Sequence, residues 1–148
     1  MRQIKSKRRV QDFGEVFTAE REVKAMCDLV SDECNRIDSR FLEPACGNGN
    51  FLVEILKRKF ERCKNWQDGL AALNSLYGID IQQDNVDECR KRLIAMFVER
   101  FGVSIEALFI VQRNIVCGNT LKMKSIGENG EIDWDTIVEE IREVEKNG

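Results

Sequence analysis

Residues 41–51 read Phe41-Leu42-Glu43-Pro44-Ala45-Cys46-Gly47-Asn48-Gly49-Asn50-Phe51. The apolar opening predicts a short strand, and Gly47-Asn48-Gly49 predicts the loop that ends it. Helical spacing resumes at once, with Leu52, Ile55, Leu56, Phe60 and Cys63 on one face. Two glycines flanking one residue permit torsions and a close ligand approach that side chains would block. The helix behind them offers free N–H groups and a positive dipole end. Strand, glycine loop and helix in that order open an α/β domain built on a parallel sheet.

Towards the N-terminus, Val23, Met26, Cys27, Val30 and Cys34 recur at helical spacing behind Thr18. With Thr18 as N-cap they predict one amphipathic helix over about 19–35. Arg36–Ser39 is a polar break before the strand. Beyond the first unit, Leu70, Leu73 and Leu76 form a short helical pattern leading into a strand, Tyr77-Gly78-Ile79-Asp80-Ile81. Asp84 or Asn85 can cap the next helix, whose stripe is Val86, Cys89, Leu93, Met96, Phe97 and Phe101 before a stop at Gly102. Phe109–Val111 and Ile115–Cys117 predict a third strand region interrupted by the polar Gln112–Asn114. Asn129-Gly130 signals a turn, and Trp134, Ile137, Val138, Ile141 and Val144 fit a final helix. The reading is therefore a basic arm at 1–12, one α/β domain at 13–121 and a tail at 122–148.

The chain has 148 residues, enough for one domain with a sizeable core, and is 43% apolar and 33% charged. Its longest apolar runs are too short to span a bilayer, and no apolar segment follows the N-terminal charges to make a secretory signal. Six cysteines without a C-x-x-C pair, and no histidine, argue against a zinc site. They read as small hydrophobes in a reducing cytoplasm. Residues 1–9 carry five positive charges, so 10–148 sum to −8 within a net charge of −3. An acidic body is a poor phosphate-binding surface, so if a nucleic acid is bound its contacts fall to the basic arm or to other protein. The arm reads equally well as a solvated tail.

In an open α/β sheet, ligands sit at the carboxyl ends of the strands. Three loops reach that edge here. The first is Glu43 to Phe51. A dinucleotide-binding G-x-G-x-x-G is its natural competitor, but the third glycine would fall at Leu52, and Asp80 lies 31 residues beyond Gly49 rather than roughly 20. The second loop follows Asp80, whose carboxylate can accept both hydroxyls of a ribose while Ile81 lies against an adenine face. The plainer alternative is that Asp80 caps the next helix. The third is Asn114-Ile115-Val116-Cys117-Gly118-Asn119-Thr120-Leu121, where Asn119 can meet an adenine amino group.

Taken together, these strings resemble the adenine-directed (N6) DNA methyltransferases of restriction–modification systems. Gly14-Glu15-Val16-Phe17-Thr18 looks like the family's G-x-x-F-T-P, with Ala19 for proline. Glu43 to Phe51 looks like D-P-A-C-G-S-G-x-F, with Glu43 for aspartate and Asn48 for serine. Tyr77 to Ile81 is similar to the ribose-binding strand. Asn114 to Leu121 resembles N-I-x-x-G-D-x-L, with Asn119 for aspartate. The resemblance implies a Rossmann-like methyltransferase fold binding S-adenosylmethionine or S-adenosylhomocysteine. It implies that Phe17 and Thr18 meet the methionine end, Glu43 its amino group, and that Pro44, Ala45, Cys46, Gly47, Asn48, Gly49 and Phe51 form the cofactor loop. Asp80 would hold the ribose, Ile81 the adenine ring and Asn119 the adenine edge; asparagine can both donate and accept there.

One departure outweighs the others. The family's [N/D]-P-P-[Y/F] motif holds the flipped target base, and Pro44 is the single proline of this chain. Trp134–Val138 resembles the F-D-x-I-V lead-in to that motif, but Glu139-Glu140-Ile141-Arg142 follows. The expectation is a cofactor-binding portion that lacks catalytic residues and meets DNA in a homodimer or with a second subunit, unless the Trp134–Val144 segment folds back as a lid over the open strand edge. A non-catalytic binding or regulatory subunit of the same fold is the alternative, and a methyltransferase for another substrate a third.

Overall fold

The computed structural model describes residues 2–4, 16–18, 20–120, 123–127, 132–137, 139–141 and 143. Within the predicted basic arm, Arg2–Ile4 (β1) is a strand paired antiparallel with Val16–Thr18 (β2), Arg2 opposite Thr18. The predicted helix over about 19–35 is two helices, α1 (Glu20–Leu29) and α2 (Ser31–Cys34). The chain breaks at Val30, whose torsions of φ −122° and ψ 37° leave the helical region. That break turns the stripe: Val23, Cys27 and Cys34 are buried, whereas Met26 and Val30 face outward. Residue 19 lies outside the described residues, and with it the predicted cap from Thr18.

There follow β3 (Phe41–Glu43), α3 (Asn50–Phe60), α4 (Trp66–Asn74) and β4 (Leu76–Asp80). Then come α5 (Gln83–Phe101), α6 (Ile105–Asn114) and β5 (Ile115–Cys117). The predicted strand at Phe109–Val111 is thus helix. Ser104 Oγ accepts the Ala107 N–H at 3.1 Å and starts α6. Ala107 and Val111, four apart, turn inward and leave Phe109 on the outer side. A short apolar run cannot distinguish the two periods by itself. Asp84 and Asn85 sit inside the first turn of α5, with Gln82 in the cap position.

The three long-range strands form a parallel sheet in the order β3-β4-β5. Because that order advances in one direction and crossovers are right-handed, both connections fall on the same side of the sheet. Phe41, Leu76 and Ile115 accordingly pack with residues of α1 to α6 in one core. Gly78 sits at the centre of that face. A Cβ there would meet Leu52 Cδ1 at 2.9 Å and Cys46 Cβ at 3.1 Å, so the glycine lets α3 lie close to β4. Phe60, Phe97 and Phe101 fill the far end with ring centroids 5.1–6.4 Å apart.

The opposite face carries Leu42, Tyr77, Ile79 and Val116, and the tail covers it. Met123, Ile137 and Ile141 are buried against these residues. The Trp134 ring lies 5.5 Å from Tyr77, with the Arg40 guanidinium 4.9 Å above it. An antiparallel bridge joins Ile126 to Ile132 around Asn129-Gly130, whose own turn lies outside the described residues. The predicted tail helix begins at Ile137 rather than Trp134, after a turn in which Asp133 O accepts from the N–H groups of Thr136 and Ile137. Val138 and Val144 lie outside the described residues. Trp134–Ile137 is therefore turn and helix start, and among the described residues β3 has no strand on its outer side.

Lys59 fixes the approach to β3. It is fully buried, and its Nζ donates to Arg36 O at 2.7 Å, Ile37 O at 3.0 Å and Ser39 O at 2.6 Å. The polar break of the sequence is thus a loop wrapped around one ammonium group, whose pKa burial pushes down to about 8. Lys59→Met keeps the volume and strips three carbonyls of their donor. We expect a loss of about 3 kcal/mol in urea unfolding; a change below about 0.5 kcal/mol would show that water replaces the amine freely.

Candidate functional site

Glu43 pairs with Gly78 and Asp80 with Cys117, so β3, β4 and β5 end at the same edge of the sheet. Pro44 and Ala45 form an exposed turn there, and the chain re-enters the fold at Cys46. The Cys46 N–H donates to Ile79 O at 2.8 Å, and the Gly49 N–H returns to Cys46 O at 3.0 Å. Gly47 and Gly49 take φ of 56° and 92°, both in the left-handed region, with half-buried Asn48 between them. Gly49 answers a second demand as well. A Cβ at that position would lie 2.7 Å from Cys89 Sγ of α5. This glycine is therefore required by the packing of α5 behind the loop.

Asp80 is the knot of the site. Its Oδ2 accepts the Gly47 N–H at 3.0 Å, and its Oδ1 accepts the Gln82 N–H at 2.8 Å and Asn85 Nδ2 at 3.2 Å. The plainer alternative from the sequence is thus present: Asp80 organises the start of α5. A carboxylate has about four acceptor sites, so three protein bonds leave room for a ribose hydroxyl. Asn85, which the sequence offers only as a candidate cap, is instead fully buried within the first turn of α5 and donates to this carboxylate.

The neighbouring residues converge on this knot. The Gly118 N–H donates to Asp80 O at 3.0 Å, which brings half-buried Asn119 to the same edge. Ile81 is half exposed beside the Asp80 carboxylate, and Cys117 Sγ lies 3.5 Å from its carbonyl oxygen. Glu43 is partly buried, and Ala45 N–H, at 3.3 Å, is its hydrogen-bond donor. Burial holds its carboxyl above the usual range, against that bond. Such a carboxylate gains from a cationic guest, and an ammonium fits. Phe51 packs against the main core. Cys46 remains a neutral thiol, its pKa raised by its hydrogen bond with Cys89 and by burial. Phe17 and Thr18 belong to β2, a separate ribbon lying against α3. All six cysteines are free thiols. Among the described residues no helix is long and apolar enough to cross a membrane.

The structural share of Asp80 can be measured without ligand. Asp80→Ala leaves Gly47 and Gln82 N–H groups without their acceptor and should cost about 2–3 kcal/mol in chemical unfolding. An unchanged midpoint would mean that the loop does not depend on this carboxylate.

Comparison with known proteins adds two partial matches. The chain is 33% identical over 79 residues to the type II methyltransferase M.VspI of Vibrio sp. (strain 343), covering 53% of this chain and 16% of that protein. It is 32% identical over 107 residues to the putative type II restriction enzyme and methyltransferase RM.MjaORFECS2P of Methanocaldococcus jannaschii, covering 61% of this chain and 9% of that protein. The chain thus spans less than a fifth of either relative. No family model matches it, and no solved structure does. Over about half its length, then, this α/β chain is related in sequence to methyltransferases of restriction–modification systems.

Proposed function

We propose that the chain binds S-adenosylmethionine, or its product S-adenosylhomocysteine, as the cofactor-binding portion of a cytoplasmic DNA adenine-N6 methyltransferase with a Rossmann-like fold. The observation that carries the reading is the convergence of Glu43, the Gly47–Gly49 loop, Asp80, Ile81 and Asn119 on one sheet edge. Glu43 takes the amino group of the methionine end. The loop and the first N–H groups of α3 receive its carboxylate. Asp80 offers its remaining acceptor capacity to the ribose, and Ile81 and Asn119 flank the adenine. Phe17 and Thr18 of β2 are assigned to the methionine end by the resemblance of Gly14–Thr18 to the family's motif. Pro44, Ala45, Cys46, Asn48 and Phe51 set the shape of the loop rather than its charge.

The bound cofactor would supply an electrophilic methyl group, and transfer to an adenine amino nitrogen is chiefly a matter of positioning. This chain contributes the fixed half of that geometry. The residues that hold a flipped base belong to a motif with two prolines, and Pro44 is its single proline. Other protein must complete the site and carry most contacts to DNA. The outer edge of β3 supports a partner, since Phe41 N–H is spent on Ser75 O and the alternate backbone groups at Leu42 point away from β4. A non-catalytic subunit that retains the same fold is the second reading, favoured by the missing motif alone.

Calorimetry with S-adenosylhomocysteine should show one site per chain. Glu43→Gln should weaken it about tenfold, ~1.4 kcal/mol. Affinity for the ammonium-bearing ligand requires ionised Glu43. It therefore falls on acidification through the raised Glu43 value, at a pH above where an ordinary glutamate titrates. The Gln variant should show a flat profile over that range; a profile identical to wild type would assign the amino group to another residue.

Tritium transfer from labelled S-adenosylmethionine into mixed-sequence DNA should stay at the no-protein blank for this chain alone. Light scattering should reveal concentration-dependent dimers formed through the β3 edge. Incorporation above the blank would place catalytic residues within these 148 positions, and a monomer at every concentration would remove the edge as a self-association site.

A further inference from the structure

Arg92 of α5 stands 44 residues from Asn48 in the chain and touches its loop directly. Its Nη1 donates to Asn48 O at 3.1 Å and to Asn50 Oδ1 at 2.8 Å. The side chain is half-buried, and no carboxylate among the described residues forms an ion pair with it. Its bonds go instead to two neutral oxygens, one in the glycine loop and one on the first residue of α3. Cys89, one turn earlier on the same face of α5, fills the space beneath Gly49. Helix α5 thus backs the loop at two points, while Asp80 holds its front through Gly47.

A residue between two left-handed glycines has little intrinsic reason to keep one peptide orientation. Arg92 supplies one. With its carbonyl oxygen drawn onto the guanidinium, the Asn48–Gly49 peptide presents α5, not the ligand edge, with its negative end. Released, that carbonyl can turn towards the sheet edge, where it would repel a ligand carboxylate.

We propose that Arg92 is a positioning residue for the carboxylate of the ligand's methionine end, acting through the orientation of the Asn48 carbonyl. The inference rests on the cofactor reading above and predicts which half of the ligand feels the residue. Arg92 has no role at the nucleoside half, which belongs to Asp80, Ile81 and Asn119. Both bonds leave one nitrogen, Nη1, so lysine retains the charge and a donor for two acceptors but loses the planar guanidinium that holds that nitrogen in place.

The test compares two ligands by calorimetry: S-adenosylhomocysteine, and 5′-methylthioadenosine, which lacks the amino-carboxylate group. Arg92→Met should bind the first about tenfold more weakly, ~1.4 kcal/mol, and the second with unchanged affinity. Arg92→Lys should fall between wild type and Met for the first ligand only, and decides the matter if the Met variant fails to fold. Equal weakening of both ligands would reduce Arg92 to a general structural role and overturn the proposal. So would full affinity for S-adenosylhomocysteine in the variants. If the wild-type chain binds neither ligand, the cofactor reading itself falls, and this inference with it.

Discussion

The carboxylate of Asp80 ties the loop after β3 to the first turn of α5, two segments distant in the chain. It receives the N–H of Gly47 from the loop after β3, the N–H of Gln82 before α5, and the side-chain amide of Asn85 within α5. Parallel strands bring their ends to one edge but leave the loops there free to differ. A short acceptor at the last position of β4 removes that freedom. The glycine loop then lies at a fixed height above the sheet, and α3 starts from it with its free N–H groups towards the same edge.

Close packing behind the loop is the complementary constraint. Gly49 leaves room for Cys89 and Gly78 leaves room for Leu52, so α3 and α5 approach the sheet as far as their backbones permit. The sheet edge built this way has rigid support beneath a loop of two glycines. For the proposed cofactor, affinity depends on how much of the loop's ordering is complete before it arrives. Asp80, Arg92 and Cys89 each contribute to that ordering from a different side.

The sheet is covered unequally. Six helices share one face with Phe41, Leu76 and Ile115, while the other face relies on Met123, Trp134, Ile137 and Ile141 from the tail. Without the tail, Tyr77, Ile79 and Val116 would stand in water at the centre of the fold, a loss of roughly 25 cal/mol for each Å² exposed. The tail thus acts as a second layer, and its helix lies where the lead-in to a fourth strand is resembled in the sequence. Covering a face and pairing an edge are separate tasks, and only the first is met within the described residues.

The local pattern of the sequence determined the strand–loop–helix unit around Gly47, the buried stripes of α3 and α5, and the gathering of Glu43, Asp80 and Asn119 at one edge. These follow from periodicity, from glycine's torsional range and from the parallel connection of successive strands, all of which are properties of neighbouring residues. The tertiary structure alone decided the rest. Whether Phe109 sits in a strand or a helix depended on which neighbours bury Ala107 and Val111. Whether Trp134 begins a strand or a turn depended on the open face over Tyr77. The partners of Lys59 lie 20 to 23 residues away, and those of Arg92 lie 42 and 44 away. Such contacts are chosen by packing between distant elements, and no local periodicity records them.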